Sequence, residues 1–321
     1  MKSANLLLHY YPKAVPKSEI EKIADLIRSR APDIKVKVLS TDRPHPSCMV
    51  SALGRQTISV EFNRVKFFPL VRGRRFQQWH KSSKSRQYRA LEAQDIPIPK
   101  WTKIQPETKL DVAEWGSHVI EKPNRGSKGA YVRIKRTSKV RFRDTGELEA
   151  DNPGRTDGML VQKLVCTGDW PVSYRVTTLF GAPLIALRYE GVRGRLYETA
   201  SNGSRKLVGP AAVASAKGSK ISACNDEEIL RLARLTHHAL PDVPILGIDI
   251  IRDVIEDRLW VLEVNPDGFT WPLGSRPALE VMASTGIDLY RQFDGLETAA
   301  ETLVNLCRNN IQSAVDLQPA H

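Results

Sequence analysis

The chain has 321 residues, an apolar fraction of 41% and a formal net charge of +12. That length allows two or three compact units with a substantial core, and no apolar run is long enough to span a bilayer. The charge favours anionic partners: nucleotide phosphates, acidic peptides or nucleic acid.

The first stretch, MKSANLLLHYYP, lacks a small-residue cleavage site and runs straight into a strand–helix pattern, so no export signal is read. Residues Ala4–Tyr11 are predicted as a strand. Ser18-x-x-Glu21 is predicted to open a helix as a capping box, with Ile20, Ile23, Ala24 and Ile27 at helical spacing and Pro32 ending it. Ile34–Leu39 and Thr57–Phe62 alternate as strands on either side of a proline-containing loop, which implies a small α/β unit with parallel pairing that ends near Gln77. Cationic residues crowd Arg64–Arg89 with Phe67, Phe68, Phe76, Trp79 and Tyr88 between them; a solvated basic face beside a phosphate site is favoured over a nucleic-acid surface, because no nucleic-acid motif accompanies it.

Lys81–Gln94 is predicted as a helix stopped by the prolines of Ile96–Pro99. Trp101–Ile104 reads as a short strand and Glu107–Glu114 as a weak helix. Strands His118–Pro123 and Ala130–Lys135 flank a small polar loop, Asp144–Asp157 is polar and irregular, and Met159–Val165 is a strand. Ser173–Phe180 and Pro183–Glu190 read as paired strands, and Gly191–Ser219 mostly as loop. Asn225-x-x-Glu228 is expected to cap a helix, in which His237 and His238 read as surface residues. Closing helices are expected over Ala278–Thr285 and Leu296–Asn309. Cys48, Cys166, Cys224 and Cys307 form no CxxC pair, so reduced thiols in a cytoplasmic protein are expected.

Two stretches carry chemistry. In Pro244–Trp271, strand Ile245–Ile251 holds a single acid, Asp249, and strand Arg258–Asn265 holds Glu263 and Asn265 two apart, hence on one face. If a hairpin closes through Arg252–Asp257, two carboxylates and an amide oxygen converge, with little expected positive charge nearby, and such an oxygen set suits Mg²⁺. The alternative is a plain hairpin with incidental acids. In Glu121–Gly129, a lysine at a strand end, Lys122, leads into a loop with Gly126, Ser127, Lys128 and Gly129, where glycine lets backbone N–H groups approach an anion. It is neither a Walker A loop nor a dinucleotide fingerprint, and alone it reads equally as a hairpin turn.

Lys122-Pro123 with its loop, then Met159–Val165, Arg175, Arg188, Asp249 and Glu263-x-Asn265, resemble in order and rough spacing the ATP-grasp superfamily, most closely its RimK-like carboxylate–amine ligase branch. Ser83–Pro97 is similar to the helix that precedes that family's central domain. The resemblance implies an α/β (α+β) ATP-grasp fold: an N-terminal pre-ATP-grasp domain over 1–77, a central lid subdomain over 78–165, and a metal- and substrate-binding subdomain over 166–321. It implies that Lys84 and Lys122 bind α- and β-phosphates, that 124–129 covers the triphosphate, and that Gln162, Lys163, Leu164 and Val165 form the adenine hinge with Asp169 near the ribose. Arg175 and Arg188 would face the γ-phosphate and acyl intermediate, and Asp249, Glu263 and Asn265 would hold two Mg²⁺ ions, with Mn²⁺ as a substitute.

The sequence departs from the family at Lys163, where an acid is usual, at Ser173-Tyr174-Arg175, which lacks one carboxylate, and at Pro266–Trp271, which replaces a small-residue turn. The implied partners are ATP and small-molecule or peptide carboxylates and amines, with a homo-oligomer open. The rivals are an ATP-grasp kinase, which needs no amine, and a non-catalytic nucleotide- or polyanion-binding module.

Overall fold

A computed structural model describes residues 4–42, 56–62, 73–79, 82–126, 129–192, 196–199, 205–207, 218–265 and 271–316. Ser127, Lys128, His80, Lys81, Cys48, the Pro44–Pro46 loop, the Arg64–Arg72 part of the basic stretch and Pro266–Thr270 lie outside the described residues.

β1 (Ala4–Tyr10), α1 (Lys17–Arg30), β2 (Ile34–Ser40), β3 (Thr57–Glu61) and β4 (Arg75–Phe76) build the first sheet, ordered β2-β1-β3-β4. All its pairings are parallel, as strand–helix–strand connections require. One face carries Leu6, Leu8, Tyr10, Ile34, Val36, Ile58 and Val60, which pack on Ile20, Ile23, Ala24 and Ile27 of α1. The helix starts one residue before the expected capping box: Pro16 is its N-cap and no side chain caps it, so Ser18 lies inside the first turn. A proline there satisfies the φ requirement without supplying an acceptor.

α2 (Lys84–Glu92) follows, capped by the Ser83 side chain. β5 (Trp101–Lys103), α3 (Val112–Trp115), β6 (His118–Pro123), β7 (Arg133–Arg136), α4 (Gly154–Asp157) and β8 (Met159–Lys163) come next, with an antiparallel sheet ordered β5-β8-β6-β7. The weak helix over 107–114 is only the single turn α3, capped by Asp111. The irregular 144–157 stretch contains a 3-10 turn at Thr145–Glu147 as well as α4.

β9 (Val172–Leu179) and β10 (Ala182–Gly191) are joined through Phe180 and Gly181. β11 (Tyr197–Thr199) and β12 (Arg205–Leu207) make a small hairpin inside the stretch expected to be loop. β13 (Ser219–Ala223), α5 (Glu227–His238), β14 (Ile245–Asp253) and β15 (Arg258–Asn265) complete a five-stranded sheet ordered β13-β10-β9-β14-β15. α5 is capped by Asp226, which accepts from the N–H groups of Glu228 and Ile229, and not by Asn225. His237 is buried rather than superficial: its ring joins Thr178 Oγ1 at 2.6 Å and the Val243 carbonyl at 2.8 Å. α6 (Arg276–Thr285) and α7 (Gly295–Asp316) close the chain.

The layers interlock. α7 packs on α1 and β10, so the C-terminal helix returns to the first sheet, and Trp271 sits edge-on to Phe62 at 5.1 Å. Tyr88 and Leu91 of α2 join the core between α5 and the five-stranded sheet. Cys166, Cys224 and Cys307 are buried and form no disulfide with one another. No helix among the described residues is long and apolar enough to cross a membrane.

Candidate functional site

The centre of the site is the β14–β15 hairpin. Apolar alternation drives the two strands together, and their antiparallel register sets Asp249 opposite Glu263 and Gly247 opposite Asn265. Residues directly opposite share a face, so both acids and the amide meet on one side. Asn265 Nδ2 donates to Asp249 Oδ2 at 3.2 Å. On the other flank, β9 pairs with β14 so that Arg175 lies opposite Asp249. Its guanidinium grips that carboxylate with two nitrogens, Nε to Oδ1 and Nη2 to Oδ2, the second at 2.6 Å. A forked donor on a planar carboxylate is the strongest ordinary ion-pair geometry.

Two lysines reach the same place from elsewhere. Lys84, in the first turn of α2, lies 3.2 Å from Glu263 Oε2 and donates to the Gly126 carbonyl at 3.1 Å. It therefore ties the glycine-containing loop to the acidic strand. Lys122, at the end of β6, is buried; its ammonium donates to Gln162 Oε1 at 2.7 Å and stands 5.3 Å from the centre of the Tyr88 ring. Tyr88 is fully buried and donates its hydroxyl to the Leu262 carbonyl at 3.0 Å, which docks α2 on β15. Asn124 braces the loop base, accepting from the Ser85 N–H at 2.9 Å and donating to Asp157 at 2.9 Å, while Arg125 also pairs with Asp157. At φ +69° Gly129 takes a conformation that side chains other than glycine's disfavour.

The expectation of little positive charge around the acids is overturned: Arg175 and Lys84 touch them and Lys122 stands close by. These cations set the protonation pattern. Burial works to raise the Glu263 carboxyl, but the charges of Lys84, Lys122 and Arg175 outweigh it and hold it below the usual carboxylate range. Burial pushes the Lys122 ammonium down to about 7; Glu263 pulls it back up, and Lys84 pushes it further down. Burial also raises Asp249, against the pull of Arg175.

Of the residues singled out from sequence, the structure gathers Lys84, Lys122, Gln162, Arg175, Asp249, Glu263 and Asn265 at one place. Gln162, expected in the adenine hinge, contributes here by its side chain, which accepts from Lys122. Lys163 ends β8, and Leu164 and Val165 begin the connection toward β9. Asp169 uses its main-chain oxygen to accept from the N–H groups of Leu196 at 2.7 Å and Tyr197 at 3.3 Å. Arg188 stands apart: it lies opposite Tyr174 in the β9–β10 register, so alternation turns it away from Arg175's side, and it pairs with Glu190 at 2.5 Å. Tyr88 was missed as a site residue, since in sequence it is one aromatic among several in a basic stretch; its place beneath Lys122 follows from the docking of α2.

Asp249, Glu263 and Asn265 make an all-oxygen donor set suited to a hard divalent cation. Among the described residues no group of three or more His, Cys, Asp or Glu side chains could hold a metal by itself. An ion here would thus draw its remaining ligands from water or a phosphate, the habit of Mg²⁺ at nucleotide sites.

The fold and site define a mixed α/β protein that sets paired carboxylates against a half-buried lysine, Lys84, and a buried one, Lys122, beside a glycine-containing loop. No protein-family model and no curated protein matches the chain. Among solved structures, it is similar to the D-alanine–D-alanine ligase from Bacillus anthracis, at 14% identity over 95% of this chain and 99% of that one, with a TM-score of 0.43. It is similar to the ATP-grasp ligase PsnB complexed with minimal precursor, Mg and ADP, at 15% identity over 92% and 98%, with a TM-score of 0.49. It is also similar to the macrocyclase MdnC from Microcystis aeruginosa MRC bound with precursor peptide MdnA, at 14% identity over 94% and 99%, with a TM-score of 0.47. Alignments this distant assign no residue a role.

Proposed function

We propose that this chain is an ATP-dependent ligase of the ATP-grasp type, joining a carboxylate to an amine through an acyl phosphate. The observation that carries the reading is the convergence of Lys84, Lys122, Arg175, Asp249, Glu263 and Asn265 from separate elements onto one face beside the loop at Gly126. Phosphoryl transfer asks a protein mainly for positioning and for neutralising equatorial oxygens, and this cluster supplies both signs of charge at close quarters.

In this reading Lys84 and Lys122 bind the α- and β-phosphates, exchanging their present acceptors for phosphate oxygens. The loop 124–129 covers the triphosphate, Gln162–Val165 form the adenine hinge, and Asp169 lies near the ribose. Asp249, Glu263 and Asn265 would hold Mg²⁺, which would supply neutralisation of phosphate charge. Arg175 pulls Asp249 toward its ionised form, against burial, and faces the transferred phosphoryl group. The substrate carboxylate attacks the γ-phosphorus and ADP leaves. The amine then attacks the acyl carbon, phosphate departs, and the amine proton is lost. The domains are taken as 1–77, 78–165 and 166–321, the second moving as a lid that excludes water. Arg188, held by Glu190, has a weaker claim to the acyl intermediate than Arg175.

The test is ADP release with a panel of carboxylates and amines. Activity should require both, and Glu263→Ala should lower it by about 100-fold or more while the protein still melts cooperatively. An unchanged rate in that variant would remove the metal assignment. Turnover that needs no amine would make the chain a kinase instead. Salt-sensitive retention on a polyanion with no ATP hydrolysis would make it a binding module.

A further inference from the structure

The oxygens of Asp249 and Glu263 are already engaged by donors of the chain itself. Both Asp249 oxygens accept from Arg175, Oδ2 at 2.6 Å, and Oδ2 also accepts from Asn265 Nδ2 at 3.2 Å. Glu263 Oε2 faces the Lys84 ammonium at 3.2 Å. That ammonium also donates to the Gly126 carbonyl at 3.1 Å, so one charge fastens Gly126 to β15. Solvent reaches the group: the Arg175 side chain is 40% exposed, that of Glu263 26%, and those of Asp249 and Lys84 14% and 13%. What stands between a dissolved ion and the carboxylates is therefore charge and occupancy, not a sealed wall.

The charge opposes a free divalent cation. Arg175 and Lys84 touch the two acids, and Lys122 adds a third positive centre acting on Glu263. A metal ion arriving alone would shed part of a tightly held hydration shell. It would enter a group with more positive centres than negative ones, where each further positive charge is repelled. A triphosphate reverses the balance. Its oxygens accept charge-assisted hydrogen bonds from an ammonium, and its negative charge makes the group attractive to a metal. Of the three cations, Lys84 is the one suited to move. It is shared between two elements by single contacts, whereas Arg175 is held by a two-nitrogen grip and Lys122 is buried against Gln162 and Tyr88.

We propose that Lys84 is a latch on the metal site: it bars divalent cations from Glu263 until the phosphates of a nucleotide draw it off, so that nucleotide binds first and metal second. The latch makes the two ligands cooperative, each raising the affinity of the other by the same factor. The nucleotide half rests on the preceding reading; the barred carboxylate does not, since it follows from contacts within the chain.

Mn²⁺ reads the latch without turnover, because electron paramagnetic resonance reports the free ion during titration of the full chain. Without nucleotide, the wild type should bind Mn²⁺ weakly. Lys84→Gln, whose amide keeps a donor for Gly126, should bind it about tenfold more tightly. Lys84→Gln combined with Glu263→Gln should lose that gain, which a merely structural lysine would never produce. Calorimetric titration with ATP in excess EDTA should show metal-free nucleotide binding to the wild type, weakened about threefold or more in Lys84→Gln. Equal Mn²⁺ affinity in wild type and Lys84→Gln, or a gain that survives Glu263→Gln, would overturn the latch. ATP that binds only when Mg²⁺ is present would overturn the order of binding. ATP that binds under neither condition would sink the preceding reading, and the Mn²⁺ titrations would still decide whether Lys84 bars Glu263.

Discussion

Glu263 and Glu61 are both carboxyls near the end of a strand, and their surroundings are opposite. Glu263 has Lys84 at 3.2 Å, with Lys122 and Arg175 close enough to hold it ionised below the usual range. Glu61 has no such pairing among the described residues, and burial carries it up to about 8. Glu121 belongs with the first kind, since Lys135 at 2.9 Å and Arg143 both pair with its buried carboxylate. A carboxylate surrounded by its own cations is ready to hand those cations to a stronger anion. A carboxyl without such pairing is driven toward its neutral form by burial. Burial alone does not decide what an acid does; the company it keeps does.

The loss of activity in Glu263→Ala is the largest effect expected from this contrast. Next comes the pH dependence of Lys122. Its ammonium titrates near 7 in the folded protein, and a bound phosphate favours the charged form. Nucleotide binding should therefore take up a proton above pH 7, and affinity should fall by up to about tenfold per pH unit as pH rises toward 9. Lys122→Arg stays charged and should flatten that slope. A flat profile in the wild type would mean that Lys122 does not meet the phosphates.

A third carboxylate sharpens the comparison from the structural side. Glu19 accepts from the Trp271 indole, the Tyr290 hydroxyl and, at 3.2 Å, the Gly274 N–H, so three donors serve it in place of a cation. A Cβ at Gly274 would lie 2.4 Å from Glu19 Oε1 and 2.7 Å from Pro16 Cγ. Gly274→Ala should cost about 1–3 kcal/mol, measurable by urea denaturation; a neutral result would show that the clamp yields easily.

The smallest effect concerns Glu61 itself. Its folded pKa is raised above the ordinary value of 4.5, so the folded state holds the proton that the unfolded chain releases. Its contribution to stability is full below about 4.5 and is lost as pH climbs through about 8. Glu61→Gln keeps the neutral form at every pH. It should raise Tm by a few degrees, roughly 3 °C or more, at pH 8.5, with no gain at pH 4.5. Equal Tm differences at both pH values would mean that Glu61 is as well solvated as a surface acid.

Much of this was legible in the residues. Alternation and turn chemistry marked the hairpin that holds Asp249 and Glu263, and the strand–helix–strand order marked the parallel first sheet, because these are local periodicities. Helix caps were less so: Pro16 and Asp226 displaced Ser18 and Asn225, since several neighbouring residues can end a helix and packing chooses among them. His237 reads as a surface residue beside His238, but the docking of α5 against Thr178 and Val243 buries it.

What the chain order settled was which acids share a strand face, because side-chain alternation is a property of the backbone itself. What only the tertiary structure decided was the charge around them. Lys84 meets Glu263, Tyr88 lies under Lys122, Arg188 turns toward Glu190, and Glu61 is left without a counter-ion among the described residues because of how helices and sheets dock across long sequence separations. Electrostatic energy depends on distance through space and on desolvation, and neither quantity is written in the spacing of residues along the chain.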